Sequence, residues 1–515
     1  MGLNNFSIGT VTSDQDTPTF EIVRIKLKTG QDVKPGTLVK IPVSRTEASI
    51  LIGRIRSAYE HNPNEVPDAI NVRDTLGIKP NYPTEEDSTI IYRLVEADLI
   101  EEIIENINKK GTKSTQIRSP QNLPNSGAEV FIANEDEIIL ALGLAKDKTH
   151  GLHLGETVGG MKTEIILKRE AIQRHFFIGG TTGSGKSYAM GVIVEELTKH
   201  NLPIVFIDTQ DEYSKLALKL SGTVVRPGED FTIRISSLTE SELLNLLPSA
   251  TTELQRDIAA RAFSELQAEL VSDNIAKFSI DDLLERMSIV GSELTNNAAS
   301  ISMAINRTGS LKRNEIFGDG IGKADWRRLM IPCLVINCKG LTSSQLQPIA
   351  TAVLRELQTL RLHNHIPPYV AVIDEAHLFV PQGEGSPCKQ IIREGVRIGR
   401  HHGICMVLLT QSPVDIDKSV IRQCNTRLVF ALEPDQLDAI RGVKADASDE
   451  MLNALPKMPR GTCLLSGTYE SVKHTIPVKI RERRTLDSEG GSTPPIFEEM
   501  TEKWIPEVNR LKQRM

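Results

Sequence analysis

The chain has 515 residues, of which 39% are hydrophobic and 25% charged. That is an ordinary globular composition with length for about three structural units, and it excludes a disordered chain, a collagen and a disulfide-stapled miniprotein. Lys and Arg number 60 against 67 Asp and Glu, a net charge of -7; nucleic acid cannot coat such a surface throughout, so any contact with it must be local, in a lined pore or groove.

The opening residues Met1–Phe6 lack a basic and hydrophobic leader, and Phe6 stands where a myristoylation signal requires Ser or Thr. No stretch reaches the roughly 18 apolar residues that span a bilayer. Residues 1–95 read as a small β-barrel. Phe20–Lys28 alternates near period two, Thr29-Gly30 marks a turn, and Leu38–Val43 and Leu51–Ile55 are further short strands. A connecting segment is expected over 96–163. Within it Glu96–Asn108 has its Ile and Leu at helical spacing, and Lys109–Gly127 is a polar, Pro/Gly/Ser-rich linker.

From about Glu164 to residue 480 apolar runs alternate with helices: Ile204–Asp208, Cys333–Asn337, Tyr369–Asp374, Ile404–Thr410 and Leu428–Ala431. Strands hydrophobic on both faces predict a parallel sheet covered by helices, an α/β core. Between about 236 and 330 the pattern turns helical. Leu254, Ile258, Ala262, Leu266 and Leu270 share one face, and Ser279 with Asp282 forms a capping box, so a helical insertion is expected between two strands. The tail, 481–515, is charged and belongs on the surface or against a neighbour. The six cysteines form no C-x-x-C pair and sit mostly among apolar residues, as reduced thiols of a cytosolic protein would.

The decisive segment is G-x-x-x-x-G-K-S from Gly180 to Ser187, between the strand Phe176–Gly179 and a helix starting at Tyr188. Glycines let the backbone curl so that successive N–H groups face phosphate oxygens, and the helix N-terminus adds positive potential. The expected nucleotide contacts are Gly180, Thr181, Thr182, Gly183, Ser184, Gly185, Lys186, Ser187 and Tyr188. Lys186 reaches the β- and γ-phosphates of ATP, and Ser187 offers its hydroxyl to Mg²⁺. The strand Tyr369–Ile373 ends in Asp374 and Glu375. Asp374 is placed to hold Mg²⁺ through water, and Glu375 to polarise the attacking water. A strand ending in two acids is often just a strand meeting solvent; the phosphate loop makes that reading weak. Gln411, at the end of the adjacent strand, can sense the γ-phosphate. In the basic run Arg393–His402, Arg397 and Arg400 are candidates to stabilise charge on a neighbour's nucleotide, against the ordinary alternative of a solvated basic helix.

Taken together, Gly151–Leu154 (GLHL), Arg174–Ser187 (RHFFIGGTTGSGKS), Ile207–Tyr213 (IDTQDEY), Val372–His377 (VIDEAH), Arg393–Gly403 (REGVRIGRHHG) and Leu409–Pro413 (LTQSP) resemble the HerA ATPases of the HerA/FtsK superfamily. The resemblance covers nearly the whole chain, and IDTQDEY departs from that family's usual Asp-Pro-His-Gly-Glu-Tyr. It implies a RecA-like P-loop core, an N-terminal barrel and a C-terminal brace. It also implies a homo-hexameric ring that passes double-stranded DNA through its pore. By the same resemblance Lys186 and Ser187 bind nucleotide and Mg²⁺, Glu375 is catalytic, Gln411 senses, Arg400 is the trans finger, and Arg174 contacts nucleotide at a subunit boundary. Protein partners of such rings include nucleases and sirtuin-type NAD-degrading enzymes, in DNA processing or phage defence. The leading expectation is a cytoplasmic, Mg²⁺-dependent DNA translocase. The alternatives are a nucleotide-gated scaffold regulating a toxic effector, and a secretion or conjugation ATPase of the same superfamily.

Overall fold

A computed structural model describes residues 6–13, 16–43, 48–61, 92–107, 113–272, 274–275, 277–318, 323–383 and 386–485, with 505–506 and 510. The expectations for Met1–Asn5, for residues 109–112 of the linker, and for the tail beyond 485, residues 505–506 and 510 aside, lie outside these residues.

The N-terminal unit is built from β1 (Gly9–Thr12), β2 (Ile22–Leu27), β3 (Leu38–Val43), β4 (Ala48–His61), β5 (Tyr92–Ile107), β6 (Lys113–Arg118) and β7 (Glu129–Ile132). The strands run in the order β2-β1-β7-β3-β4-β5, and β2 closes the circle by pairing with β5. Alternating side chains such as Val23, Ile25, Val39, Ile41, Val95 and Ala97 fill the interior, as period-two strands require of a closed barrel. The barrel therefore extends past residue 95 to Ile132. β5 is a strand and not the helix that its Ile/Leu spacing predicted. Its first half closes the barrel on β2 and its second half carries β6, so 113–118 is strand as well.

The second sheet contains β8 (Gly151–Thr157), β9 (Glu164–Lys168), β10 (Phe176–Gly179), β11 (Ile204–Asp208), β12 (Thr223–Val225), β13 (Cys333–Asn337), β14 (Tyr369–Ile373), β15 (Ile404–Thr410), β16 (Thr426–Val429), β17 (Thr462–Ser466) and β18 (Ile476–Ile480). Its order is β12-β13-β11-β14-β15-β10-β16-β17-β18-β8-β9. The first seven of these are parallel and the rest antiparallel. The buried apolar strands and covering helices make this the α/β core that the sequence predicts. The helical insertion lies between β12 and β13. Ile258, Ala262 and Leu266 of its helix Glu253–Val271 are buried, and Ser279 and Asp282 form the capping box at Ile280. All six cysteines are free and buried.

The barrel is clamped to the core by a buried cation. The guanidinium of Arg54 on β4 is 3.1 Å from Asp98 of the barrel and 3.2 Å from Asp446 of the core, and it donates to the carbonyls of Asp446 (2.8 Å) and Thr475 (2.6 Å). Beside it Lys473 and His474 reach Glu101 of β5 at 3.0 and 3.3 Å. Buried charges of this kind are tolerated when paired and hydrogen-bonded; here Nη1 and Nη2 of Arg54 meet both conditions, while its Nε has no partner among the described residues.

Candidate functional site

In a parallel sheet the strand ends at the C-terminal edge form the binding crevice. The loop after β10 curls over that edge. Gly183 (φ 76°) and Gly185 (φ 119°) lie where L side chains are strained. A methyl on Gly185 would stand 3.1 Å from the backbone of Gly461, and one on Gly180 would meet Phe430 and Ser184 at 2.7 Å. Backbone thus closes in on Gly185, and the side chains of Phe430 and Ser184 close in on Gly180, so an added methyl is crowded at both positions. Gly185 caps the helix Lys186–Lys199, so the free N–H groups of its first turn open into the cradle. The loop is also held from outside, because Thr181 N–H donates to Ala431 O (2.8 Å) and Gly461 N–H to Ser184 O (2.9 Å). Lys186 is buried, with its ammonium on the carbonyl of Thr181 at 3.1 Å. Burial lowers its pKa, opposed by the charges of Glu375, Glu212 and Asp374.

β15 separates β10 from β14, so the order of strands brings Gln411 between the phosphate loop and the acids of β14. Its amide accepts from Thr182 Oγ1 and donates to Glu375 Oε1, and its backbone N–H reaches Glu375 Oε2 at 3.4 Å. Glu375 has φ 48°, a left-handed conformation that costs a non-glycine residue about 1–3 kcal/mol and is characteristic of functional positions. Burial alone would raise its pKa. Hydrogen bonds with His377 and Gln411 and the charge of Lys186 outweigh that and hold it below the usual carboxylate range. At neutral pH it is an anion ready to accept a proton.

Asp374 behaves oppositely. Its burial and the surrounding negative charges of Glu375, Asp208 and Glu212 push its pKa well above the usual value. Thr209 Oγ1 donates to it at 3.2 Å. Asp208 is also buried and raised by burial, and it accepts from the N–H groups of Gln210 (3.2 Å), Glu212 (3.2 Å) and Tyr213 (2.9 Å). The departure from the usual motif at 209–211 therefore leaves the turn closed on Asp208. Tyr213 is buried and stacks on Phe206, with ring centroids 4.7 Å apart. Like charges gathered beside a hydroxyl and a phosphate cradle form a donor set that a hydrated divalent cation would satisfy. The residues present thus fit both a nucleoside triphosphate and Mg²⁺.

The arginines lie elsewhere. Arg174 precedes β10, and Arg400 ends the helix Pro387–His402 before β15. β10 and β15 are parallel neighbours, so both arginines sit at the N-terminal edge of the sheet. Arg174 forms an ion pair with Glu470, and Arg400 is 3.8 Å from the same carboxylate. Arg397 is exposed, 3.8 Å from Glu394. Tyr188 accepts from the N–H of Arg483 at 2.8 Å and lies under that guanidinium, so the segment after β18 rests on the phosphate-loop helix. Sequence reasoning left His377, His175 and Glu470 without roles. His377 lies within the quoted VIDEAH. Glu470 sits in a polar turn with no local signal.

Residues 152–357 match the family model for the helicase HerA central domain, and 347–480 match an AAA-like domain. The chain is 22% identical over 403 residues to the DNA double-strand break repair helicase HerA of Sulfolobus acidocaldarius, covering 74% of this chain and 78% of that protein. It is 23% identical over 501 residues to a probable helicase of Methanocaldococcus jannaschii, covering 93% and 92%. Among solved structures, VirB4 of Thermoanaerobacter pseudethanolicus superposes with a TM-score of 0.51 at 15% identity, over 64% of this chain and 96% of that one. A phosphate loop beside a strand-end Asp-Glu pair, on this order of strands and with these relatives, makes the chain a P-loop ATPase whose central part is similar to the HerA helicases.

Proposed function

We propose that the chain is the subunit of a homo-hexameric, Mg²⁺-dependent ring that hydrolyses ATP to move along double-stranded DNA, working in the cytoplasm with a nuclease or other effector in DNA processing or anti-phage defence. One observation carries the assembly. The phosphate loop and the arginines occupy opposite edges of one sheet, roughly 15–20 Å apart at about 3.3 Å per strand residue. A guanidinium at 174 or 400 cannot reach its own chain's γ-phosphate, which supports a role on the nucleotide of the next protomer. The relatives named as DNA repair helicases support DNA as the track, and an acidic protein meets this by lining a pore locally.

In this reading the phosphates lie on the N–H groups of 180–187 and Lys186 turns from Thr181 to them. Ser187, and Asp374 through water, would hold Mg²⁺, which would supply positive charge against the β- and γ-phosphates. Glu375, ionised and fixed by Gln411, takes the proton of the attacking water. Gln411 also touches Thr182, so a change at the γ-phosphate is felt at the base. Arg400, with Arg174 beside it, stabilises the transferring group from the adjoining protomer, an effect worth about 10³–10⁵ in rate where it operates. Arg397, more exposed, is the second candidate for that role.

The test is the ATPase rate of the isolated protein with and without long duplex DNA, alongside its mass in solution. A ring whose turnover rises strongly with duplex DNA is expected. A strictly monomeric protein at working concentration would refute the assembly. No response to DNA, with turnover changing only on addition of the partner encoded by the neighbouring gene, would favour a nucleotide-gated scaffold.

A further inference from the structure

We propose that Glu470 is a positioning residue, holding Arg174 and Arg400 as one two-guanidinium element, and that its hairpin fixes this element relative to the barrel. The inference rests on the reading that these arginines act across a subunit boundary. Glu470 engages Arg174 side-on, Nε on one carboxylate oxygen and Nη2 on the other. This bidentate fork sets the direction of the guanidinium as well as its distance. Arg400 is held more loosely, 3.8 Å from Oε1 and half exposed, which leaves its outer face to a ligand. One carboxylate thus serves two cations and leaves a net positive charge of one. Arg174 and the Arg400 pairing together lower the pKa of Glu470, so it is ionised throughout the neutral range.

The element has a rigid base. His175, next to Arg174, is buried, and burial pushes its pKa down to about 4. Its Nδ1 accepts from the N–H of Met406 (3.0 Å), so the neutral ring carries its proton on Nε2 and donates to the carbonyl of Val396 (2.8 Å). Val396 lies one turn before Arg400 on the same helix. A methyl on Gly399 would stand 2.8 Å from the His175 ring, so helix and ring pack without slack.

Glu470 is held from the other side. It lies in the β17–β18 hairpin, whose Ser471 and Val472 are buried and whose Ser471 N–H closes on Thr468 O at 2.8 Å. Lys473 and His474 of the same hairpin bind Glu101 of the barrel. A half-exposed ion pair adds little to fold stability. What the bidentate geometry, the shared partner and the anchored hairpin supply is orientation.

The experiment measures kcat, KM for ATP, ring mass and melting temperature for full-length E470Q, E470A and E470D, for R174A and R400A, and for E470Q placed in the R174A/R400A chain. A small displacement of a charge-stabilising group costs up to about a hundredfold in rate, so kcat of E470Q and E470A should fall about tenfold or more, with KM and melting unchanged. E470D, keeping the carboxylate, should recover part of the loss, and E470Q should add nothing where both arginines are gone. Wild-type kcat in E470Q while R400A is impaired would overturn the proposal and leave the trans arginine standing. An equal loss in E470D and E470A, or a further loss from E470Q in the arginine-free chain, would overturn it too. Wild-type turnover in both R174A and R400A would instead remove the reading beneath it.

Discussion

Gly185→Ala tests whether the cradle has the shape described, with a single methyl group. At φ 119° a Cβ is strained, and it would also press on the Cα and N of Gly461 at 3.1 Å. Those backbone atoms are poorly able to yield. The N–H of Gly461 is bonded to Ser184 and its carbonyl accepts from Ile480 at 2.9 Å. A forbidden backbone conformation costs about 1–3 kcal/mol. If about 2 kcal/mol falls on the competent loop, affinity for nucleotide drops about 30-fold. Gly183→Ala is the matched control. Its φ is 76°, yet no atom of the described residues lies within 4 Å of the added methyl. Only the left-handed penalty of about 1–2 kcal/mol applies, and a left-handed residue such as Asn would reduce it. Titration with a fluorescent ATP analogue, with melting curves to exclude unfolding, should rank Gly185→Ala well below Gly183→Ala, itself below wild type. Binding by Gly185→Ala within threefold of wild type would refute the cradle. Equal losses in both variants would refute the role given to Gly461.

Glu375→Gln should bind ATP normally and lose about 10²–10⁴ in turnover, the range removed with a general base; quench-flow showing a near-normal chemical step would mean that another group takes the proton. Arg400→Ala should keep only residual turnover and Lys186→Ala none, yet verified mixed rings of the two should regain part of the activity, since intact loops then meet intact fingers; no recovery would place Arg400 in cis. The barrel clamp should be pH-sensitive in a defined sense. Hydrogen bonds and charges from Asp446 and Glu101 overcome burial and raise the pKa of His474. Its contribution is therefore complete below the unfolded value of about 6.5 and disappears as pH rises through the higher folded value. The melting-temperature difference between wild type and His474→Gln should be largest near about pH 5–6 and shrink toward alkaline pH; a difference that grows with pH would refute the pairing.

The nucleotide half of the site was legible because its chemistry is local. The glycine spacing at 180–187, the acids at 374 and 375 and the residue after β15 each lie at the end of an apolar strand, and strand ends in a parallel sheet converge. The arginine half was legible only in part. Arg400 and Arg174 stand in basic or loop-flanking positions that many surfaces share, and what gives them a common place is the parallel pairing of β10 with β15. Glu470 had no chance of detection, since its partners are 296 and 70 residues away in sequence.

β5 shows how the same limit distorts a secondary-structure reading. Leu99, Ile100, Ile103 and Ile104 fit a helical stripe, but the pairing with β4 passes from Leu99↔Gly53 to Glu101↔Ile52 and skips Ile100. That bulge adds one residue and moves the following side chains to the opposite faces. Leu99 then fills the barrel while Ile100 and Ile103 pack against the ATPase unit. The two acids that follow would argue for solvent in an isolated strand. Here Glu102 is fully buried, bound by Arg118 at 3.2 Å and Asn122 at 2.6 Å, and Glu101 takes Lys473 and His474. A strand covered on both faces loses its alternation, and two buried carboxylates with distant partners complete the imitation of an amphipathic helix. The partners that make β5 a strand are the same ones that join the barrel to the core, so this stretch could be read correctly only with the domain contact in hand.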